Sequence, residues 1–342
     1  MRVVLDGMGG DNAPLEIISG AVLAVKENKD LKVIVTGDKE KIDEILKGYN
    51  EDFSDRIEVV STSEVVENED DPISAVRTKK DSSLVKALKL VSEGEGDSFV
   101  SAGNTGAVFT GATLIIKRIQ GIKRSALAPL IPTLKGNAVL IDSGANAECK
   151  SEYYSQFGLM GSVYSTCVFG KENPKVGLIN IGVEHHKGTH TVVEAYNLLK
   201  ENKNINFVGN IEARDVLMGT ADVYVSDGWS GNLVIKSIEG TIDALMQVIK
   251  GVFKTNLLTK LAASVILPHF KKALKKFDAK QTGGAIILGL KAPAVKAHGN
   301  SERETIKNAI LFADKCAKEQ ISKKIEKLVN TELTQNEEVT VD

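Results

Sequence analysis

Short apolar runs rich in β-branched residues, closed by Gly, Asn or Asp, recur at Arg2 to Leu5, Lys32 to Val35, Ser98 to Val100, Ala138 to Ile141, Val176 to Ile179, Asn206 to Val208 and Val223 to Val225. Runs this short with no polar alternation fit strands buried on both faces of a parallel sheet. Helical spacing of apolar positions links them over Pro14 to Asn28, Lys39 to Lys47, Ser82 to Ser92, Thr105 to Ile119, Glu152 to Phe169, Gly188 to Lys200 and Asn232 to Ile249. Strand and helix in alternation predict an α/β fold with a doubly wound, mostly parallel sheet. The polar, acidic end from Asn330 to Asp342 has little to bury and is expected to fray.

Composition narrows the class without changing that picture. Of 342 residues, 42% are hydrophobic and 26% charged, as in a globular enzyme. Forty-three basic residues against 45 acidic leave a net charge of −2, which removes the blanket basic bias of a nucleic-acid binder. We read residues 1–329 as a single α/β domain carrying a helical lobe, with 330–342 as its tail. Cys149, Cys167 and Cys316 are too scattered for a disulfide framework or a zinc site, so a reducing cytoplasm is expected. The start turns polar at Asp6, and no stretch of 18 apolar residues occurs, so neither a secretion signal nor a membrane span is expected.

Chemistry concentrates where strands end. Asp6-Gly7-Met8-Gly9-Gly10-Asp11-Asn12, Ser101-Ala102-Gly103-Asn104-Thr105-Gly106, Asp142-Ser143-Gly144-Ala145-Asn146, Asn180-Ile181-Gly182-Val183-Glu184 and Asp227-Gly228-Trp229-Ser230-Gly231-Asn232 each follow an apolar run and precede a helix. Five such loops are expected along one sheet edge, where Gly admits close backbone approach and helix N-termini favour anions such as phosphate. Taken singly, each loop also fits turn and capping chemistry. Neither G-x-G-x-x-G nor G-x-x-x-x-G-K-S/T occurs, which removes the main support for nicotinamide dehydrogenase or nucleotide kinase chemistry.

The ordered set DGMGGDNAP, DDPISAVRTKKDSS, SAGNTGA, DSGANAECK, NIGVEHHKG, GNIEARD, SDGWSGN, EG, GGAIILG and AHGNS, from residue 1 to about 310, resembles the bacterial phosphate acyltransferase (PlsX) family. Gly7, Asn12, Ser125, Val183 and Trp229-Ser230 depart from the family's usual Ala, His, Pro, Glu and Phe-Thr, and Val183 removes one of two adjacent carboxylates while Glu184 remains. The resemblance implies a Rossmann-like homodimer related to phosphotransacetylases and isopropylmalate dehydrogenases. It also implies conversion of acyl-acyl carrier protein and inorganic phosphate to acyl phosphate for phosphatidic acid synthesis. A phosphotransacetylase using acyl-coenzyme A, a non-catalytic sensor of acyl carrier protein, and an isopropylmalate-dehydrogenase-like oxidoreductase are the alternatives.

Phosphate attack on a thioester needs a pocket that holds a dianion against the carbonyl, and donors for the developing oxyanion. A thiol of pKa about 8.5 leaves readily, so direct attack needs no strong acid and no covalent nucleophile. Ser101, Gly103, Asn104, Thr105 and Gly106 are the first candidates for phosphate, although Asn104 and Thr105 would also serve simply as helix caps. Asp6, Gly9, Gly10, Asp11, Asn146, Glu184, Asp227, Gly228 and Asn232 complete the candidate substrate-binding loops. Arg77, Lys79 and Lys80 would meet phosphate or the acidic carrier protein, or form a solvated charge run before a cap at Asp81 or Ser82. Lys187 is a second candidate cation, and Arg124 and Lys236 are weaker ones.

Asn104, Lys187 and His298 are the expected catalytic residues. His298 follows an expected strand and precedes a helix capped by Ser301; a hydrogen-bonded structural role fits it equally. His186 and His190 would share a helical face, but with no carboxylate or Cys at ligand spacing neither a metal nor an organic cofactor is expected. Cys149 is read as a small buried residue, not an acyl acceptor.

From Lys250 to Lys280 there are eight lysines against a single acid, Asp278, within a helical segment of about 241–280. Leu257, Leu258, Leu261, Val265 and Ile266 form an apolar stripe suited to a membrane interface, with lysines toward anionic head groups. A dimerisation hairpin would carry the same stripe, and the basic face could also dock acyl carrier protein. The expected partners are thus acyl carrier protein, phosphate, a second copy, the membrane surface and the integral glycerol-3-phosphate acyltransferase that consumes acyl phosphate. Localisation is expected to be cytoplasmic, peripheral to the inner face of the cell membrane.

Overall fold

In the computed structural model of the chain, the described residues are 1–256, 259–261, 263, 266 and 283–339. The strands in chain order are β1 Arg2–Asp6, β2 Lys32–Gly37, β3 Ile57–Ser61, β4 Ser98–Ser101, β5 Ala126–Ala128, β6 Leu130–Thr133, β7 Gly136–Ile141, β8 Lys175–Asn180, β9 Asn206–Glu212, β10 Val223–Val225, β11 Ala285–Leu288 and β12 Ala294–Lys296. The helices are α1 Leu15–Glu27, α2 Lys39–Lys47, α3 Pro72–Thr78, α4 Ser83–Ser92, α5 Thr105–Gly111, α6 Ser151–Phe169, α7 His190–Glu201, α8 Gly228–Phe253, α9 Arg303–Lys318 and α10 Ile321–Val339. The chain is an α/β protein that divides into two compact units. One comprises Met1–Pro129, Ser162–Asn173 and Lys280–Asp342, the other Leu130–Gly161 and Pro174–Ala279, each over its described residues.

The first unit holds a seven-stranded sheet in the order β3-β2-β1-β4-β12-β11-β5. β1 pairs in parallel with β2 and β4, and β4 with β12, whereas β11 runs antiparallel to both its neighbours. The central strands are buried on both faces, with Val3, Val4, Leu5, Phe99 and Val100 fully inaccessible, which is why they read as unbroken apolar runs. Their core continues through Leu84, Val85 and Leu88 of α4 and Val108 of α5. Ile321, Ile325 and Val329 bury one face of α10, which runs past Asn330, where the polar pattern suggested fraying, to Val339.

The second unit holds a five-stranded sheet, β6-β7-β10-β8-β9, parallel except for β6. Ile131, Leu140, Ile211 and Tyr224 build its core together with Ile235 and Ile238 of α8. Two sheets correct the expectation of one shared loop edge. The loops after β1 and β4 belong to the first sheet and those after β7, β8 and β10 to the second, because β7, β10 and β8 pair with one another and not with β4.

Helix starts also differ from the pattern. α8 begins at Gly228 rather than Asn232, since the Asp227 carboxylate accepts from the Ser230 amide and sets the first turn. α7 begins at His190, so His186 lies outside the helix and shares no helical face with it. Ser301 does not cap α9: the cap position is Glu302, without a side-chain bond, and the Ser301 hydroxyl is buried without a partner. Ser82 does cap α4, accepting from the Val85 amide.

Candidate functional site

In the first unit, the ends of β1, β4 and β12 are tied into one polar network. Asp6 is buried at the end of β1 and accepts from the Ser101 hydroxyl at 2.7 Å and the Met8 amide at 3.4 Å. Burial raises the Asp6 pKa above the usual carboxylate range, opposed by hydrogen bonds from Ser83, Ser101, Met8 and Gly9. Ser101 accepts in turn from the Gly103 amide at 3.0 Å, folding the β4 loop over the β1 loop. A Cβ on Gly9 would lie 2.5 Å from Asp6 Oδ2 and 2.8 Å from Gly103 N, so the two loops meet at bare backbone.

Outward from this knot, the Asp11 amide donates to the Gly299 carbonyl at 2.8 Å, bringing in the β12 loop. Asn68 Nδ2 donates to Asp11 Oδ1 at 3.2 Å, and Asn104 Nδ2 donates to the Asn68 carbonyl at 2.8 Å. Asn104 is also the α5 cap, accepting from the Ala107 amide at 3.0 Å, so its capping role and its place at the loop mouth coexist. Thr105 is exposed, Gly106 packs close to Pro72, and His298 is exposed on the β12 loop. The structure thus gathers Asp6, Gly9, Gly10, Asp11, Ser101, Gly103, Asn104, Thr105, Gly106 and His298 at one end of this sheet.

The basic cluster divides. Lys79 turns onto Asp70 at 2.5 Å and the Val65 carbonyl at 2.8 Å, fastening its own loop, while Arg77 and Lys80 are exposed. One cation at this edge escaped the sequence reading. Lys296, at the end of β12, is 8% exposed, with its ammonium on the Ala102 carbonyl at 3.4 Å and on the Ala297 carbonyl. Desolvation lowers its pKa to about 8 against the opposing pull of Asp11 and Asp6. A polar residue closing the apolar run Ala294-Val295 was the available signal.

In the second unit, the β7 loop forms an anion cradle that the chain fills itself. The buried Asp142 carboxylate accepts from the amides of Ser143 at 2.8 Å, Ala145 at 3.2 Å and Asn146 at 2.6 Å, and from Asn146 Nδ2 at 2.9 Å. The Gly228 amide donates to the Asn146 carbonyl at 2.8 Å, and Asn232 approaches Gly144, joining the β10 loop to the β7 loop. Tyr154 donates its hydroxyl to Asp227 Oδ2 at 3.1 Å; burial, then the charges of Asp227 and Cys149, push the phenol's pKa up. Ala147, Glu148, Cys149, Tyr154, Thr189, Thr191, Asp227 and Trp229 line a cleft of about 460 Å³. Beside it, Asn180 Nδ2 donates to the Lys187 carbonyl, and Asn210 Nδ2 to the Glu184 carbonyl, so Asn180 and Asn210 fix the backbone that presents both candidates.

Of the membrane candidates, Leu257, Leu258 and Val265 lie outside the described residues. Leu261 and Ile266 are exposed, at 60% and 46%.

A family model described as "Fatty acid synthesis protein" matches residues 1–324. A Clostridium tetani protein named phosphate acyltransferase is 44% identical over 97% of this chain and 99% of its own. A namesake from Alkaliphilus oremlandii is 46% identical over 97% and 99%. Among solved structures, a Streptococcus pyogenes phosphotransacetylase superposes with a TM-score of 0.60 at 18% identity, over 93% of this chain and 94% of that one, a likeness of fold.

Proposed function

This chain belongs to the fatty acid synthesis protein family, as a relative of its phosphate acyltransferases and itself an acyltransferase, and on that premise we propose that it transfers an acyl group from acyl carrier protein to inorganic phosphate. The observation that carries the reading is the match to proteins of that name over 97% of the chain. The polar network at the ends of β1, β4 and β12 supports it: Gly-lined loops, fixed polar side chains and a buried cation suit a small anion.

In this mechanism a phosphate oxygen attacks the thioester carbon, the C–S bond breaks, and the carrier thiolate leaves and takes a proton from solvent. Asn104, held by Asn68 at the mouth of the network, orients phosphate. His298, on the β12 loop of the same unit, donates a hydrogen bond to phosphate, while Lys187 is presented on the β8 loop of the second unit. In the second unit, Asp142 and Asp227 fix the backbone of the β7 and β10 loops. The test is thiol release from long-chain acyl-acyl carrier protein with and without phosphate, with mass detection of acyl phosphate and acyl-coenzyme A in parallel. Phosphate-dependent release from the carrier protein is expected; release from acyl-coenzyme A alone would favour the phosphotransacetylase reading.

Replacing Asn104 separates capping from substrate binding. Asn104→Ala loses both the cap and the amide donor, and is expected to raise the phosphate KM about tenfold while costing about 1 kcal/mol of stability. Asn104→Asp keeps the cap acceptor and loses only the donor to the Asn68 carbonyl, so stability should fall less than in Asn104→Ala, yet its charge opposes phosphate and the KM should rise further. An unchanged KM in both folded variants would remove Asn104 from the site.

No helix among the described residues is long and apolar enough to cross a membrane. Leu245, Val248 and Val252 are nonetheless 57 to 65% exposed along one side of α8, and Leu261 and Ile266 follow. Uncovered apolar rows of this kind support association of two copies and attachment at the membrane surface, where the integral glycerol-3-phosphate acyltransferase would receive the product. Leu261→Glu with Ile266→Glu is expected to cut co-sedimentation with anionic vesicles several-fold while leaving phosphate-dependent thiol release intact. Unaltered co-sedimentation would rule out this segment as the lipid contact.

A further inference from the structure

Position 296 ends a strand buried on both faces, where an apolar residue is called for, and the chain places an ammonium there. Burying a charge is costly unless it is paired or hydrogen-bonded, and a methionine of similar length would fill the same space at no such cost. The sheet itself does not need the charge. β12 pairs with β4 through backbone bonds, with Lys296 opposite Ser101 and the Ala297 amide on the Ser101 carbonyl at 2.9 Å.

What the ammonium holds is the β4 loop. Ser101 is fixed from the β1 side by Asp6, at 2.7 Å, and the next residue, Ala102, is held from the β12 side by Lys296 through its carbonyl. The same ammonium contacts the carbonyl of Ala297, the residue before His298. Gly103, wedged against Gly9, and Asn104, which caps α5, follow directly. Asp6 and Asp11 oppose the loss of the lysine's charge, so the ammonium also offsets the negative charge that two carboxylates leave beside a site for an anion.

We infer that Lys296 is a positioning residue that clamps the Ala102–Asn104 segment between the β1 and β12 loops, so that the segment meets phosphate in a single geometry. The inference rests on the phosphate-acyltransferase reading for its substrate, but the clamp itself is a property of the loops. Lys296→Met and Lys296→Gln test it, the second keeping an N–H donor without the charge. In Lys296→Met, amide exchange over residues 101–107 should accelerate about tenfold, and the phosphate KM should rise about tenfold with a smaller change in kcat and no loss of thermal stability. Lys296→Gln should recover part of both changes.

Unchanged exchange over 101–107 in Lys296→Met overturns the inference. So does failure of both variants to fold, because the lysine would then be holding the sheet. If exchange accelerates but the wild-type protein shows no phosphate-dependent thiol release, the clamp stands and the functional reading falls. If exchange accelerates while the phosphate KM of an active enzyme stays unchanged, the positioning role is refuted.

Discussion

Asp142→Ala should destabilise the fold by about 3–5 kcal/mol, a loss readable as a lower midpoint in urea denaturation. The reason is the number of donors its carboxylate serves. The loop amides of Ser143, Ala145 and Asn146 and the Asn146 side chain converge on this fully buried residue. Removing the acceptor takes this partner from all four donors at once, and each buried donor left unsatisfied costs about 1–3 kcal/mol before relaxation admits water. The β10 loop follows, since the Gly228 amide rests on the Asn146 carbonyl and the Ser226 hydroxyl on the Asp142 carbonyl at 2.9 Å.

Asp142→Asn is expected to recover little. One of its two positions would turn an N–H toward Asn146 N and Nδ2, which now donate at 2.6 and 2.9 Å to a single oxygen. Unfolding free energies for the Ala and Asn variants within about 1 kcal/mol of the wild type would mean that the cradle is not structural. The result bears on function, because a structural cradle has consumed internally the anion-binding capacity that the β7 loop would otherwise offer an outside anion.

That distinction marks what the sequence could convey. Asp-Ser-Gly-Ala-Asn after an apolar run is legible as an amide-rich loop at a strand end. Whether its amides face a ligand or the Asp that opens it depends on a side-chain rotamer that residue types do not encode. The same limit applies to Asn104, which caps α5 and also donates to the Asn68 carbonyl, a pairing that residue types alone do not encode.

Strand identity was legible where burial on both faces leaves an unbroken run, as in β1 or β7. It was lost in β3, β5 and β6, which lie at sheet edges, and in the four-residue antiparallel β11. Which loops share an edge is set by hydrogen-bonded strand order. Local pattern carries no trace of the fact that β4 pairs with β12, nearly 200 residues away, and not with β7. Lys296 was missed for that reason. In sequence it ends a three-residue run, and only the pairing with β4 turns it toward Ala102.

Gly9→Ala should lower kcat/KM for phosphate by about 100-fold. Its Cβ would sit 2.5 Å from Asp6 Oδ2 and 2.8 and 3.0 Å from the Gly103 backbone. Two of these neighbours are main chain, so the clash cannot be relieved by turning a flexible side chain. The β4 loop must back away from β1 by a sizeable fraction of an ångström, and a misplacement approaching 1 Å costs about 100-fold when catalysis is mainly positioning. The stability loss should be about 1–3 kcal/mol, as for an overpacked core.

Gly240→Ala supplies the matched control. Nothing lies within 4 Å of its added Cβ, and in the interior of α8 alanine should gain up to about 1 kcal/mol with activity unchanged. A Gly9→Ala enzyme that retains full kcat/KM would place the reaction away from the β1–β4 junction. Loss of activity in a folded Gly9→Ala protein, beside an active Gly240→Ala protein, would tie the chemistry to the loop geometry that Asp6, Ser101 and Lys296 maintain.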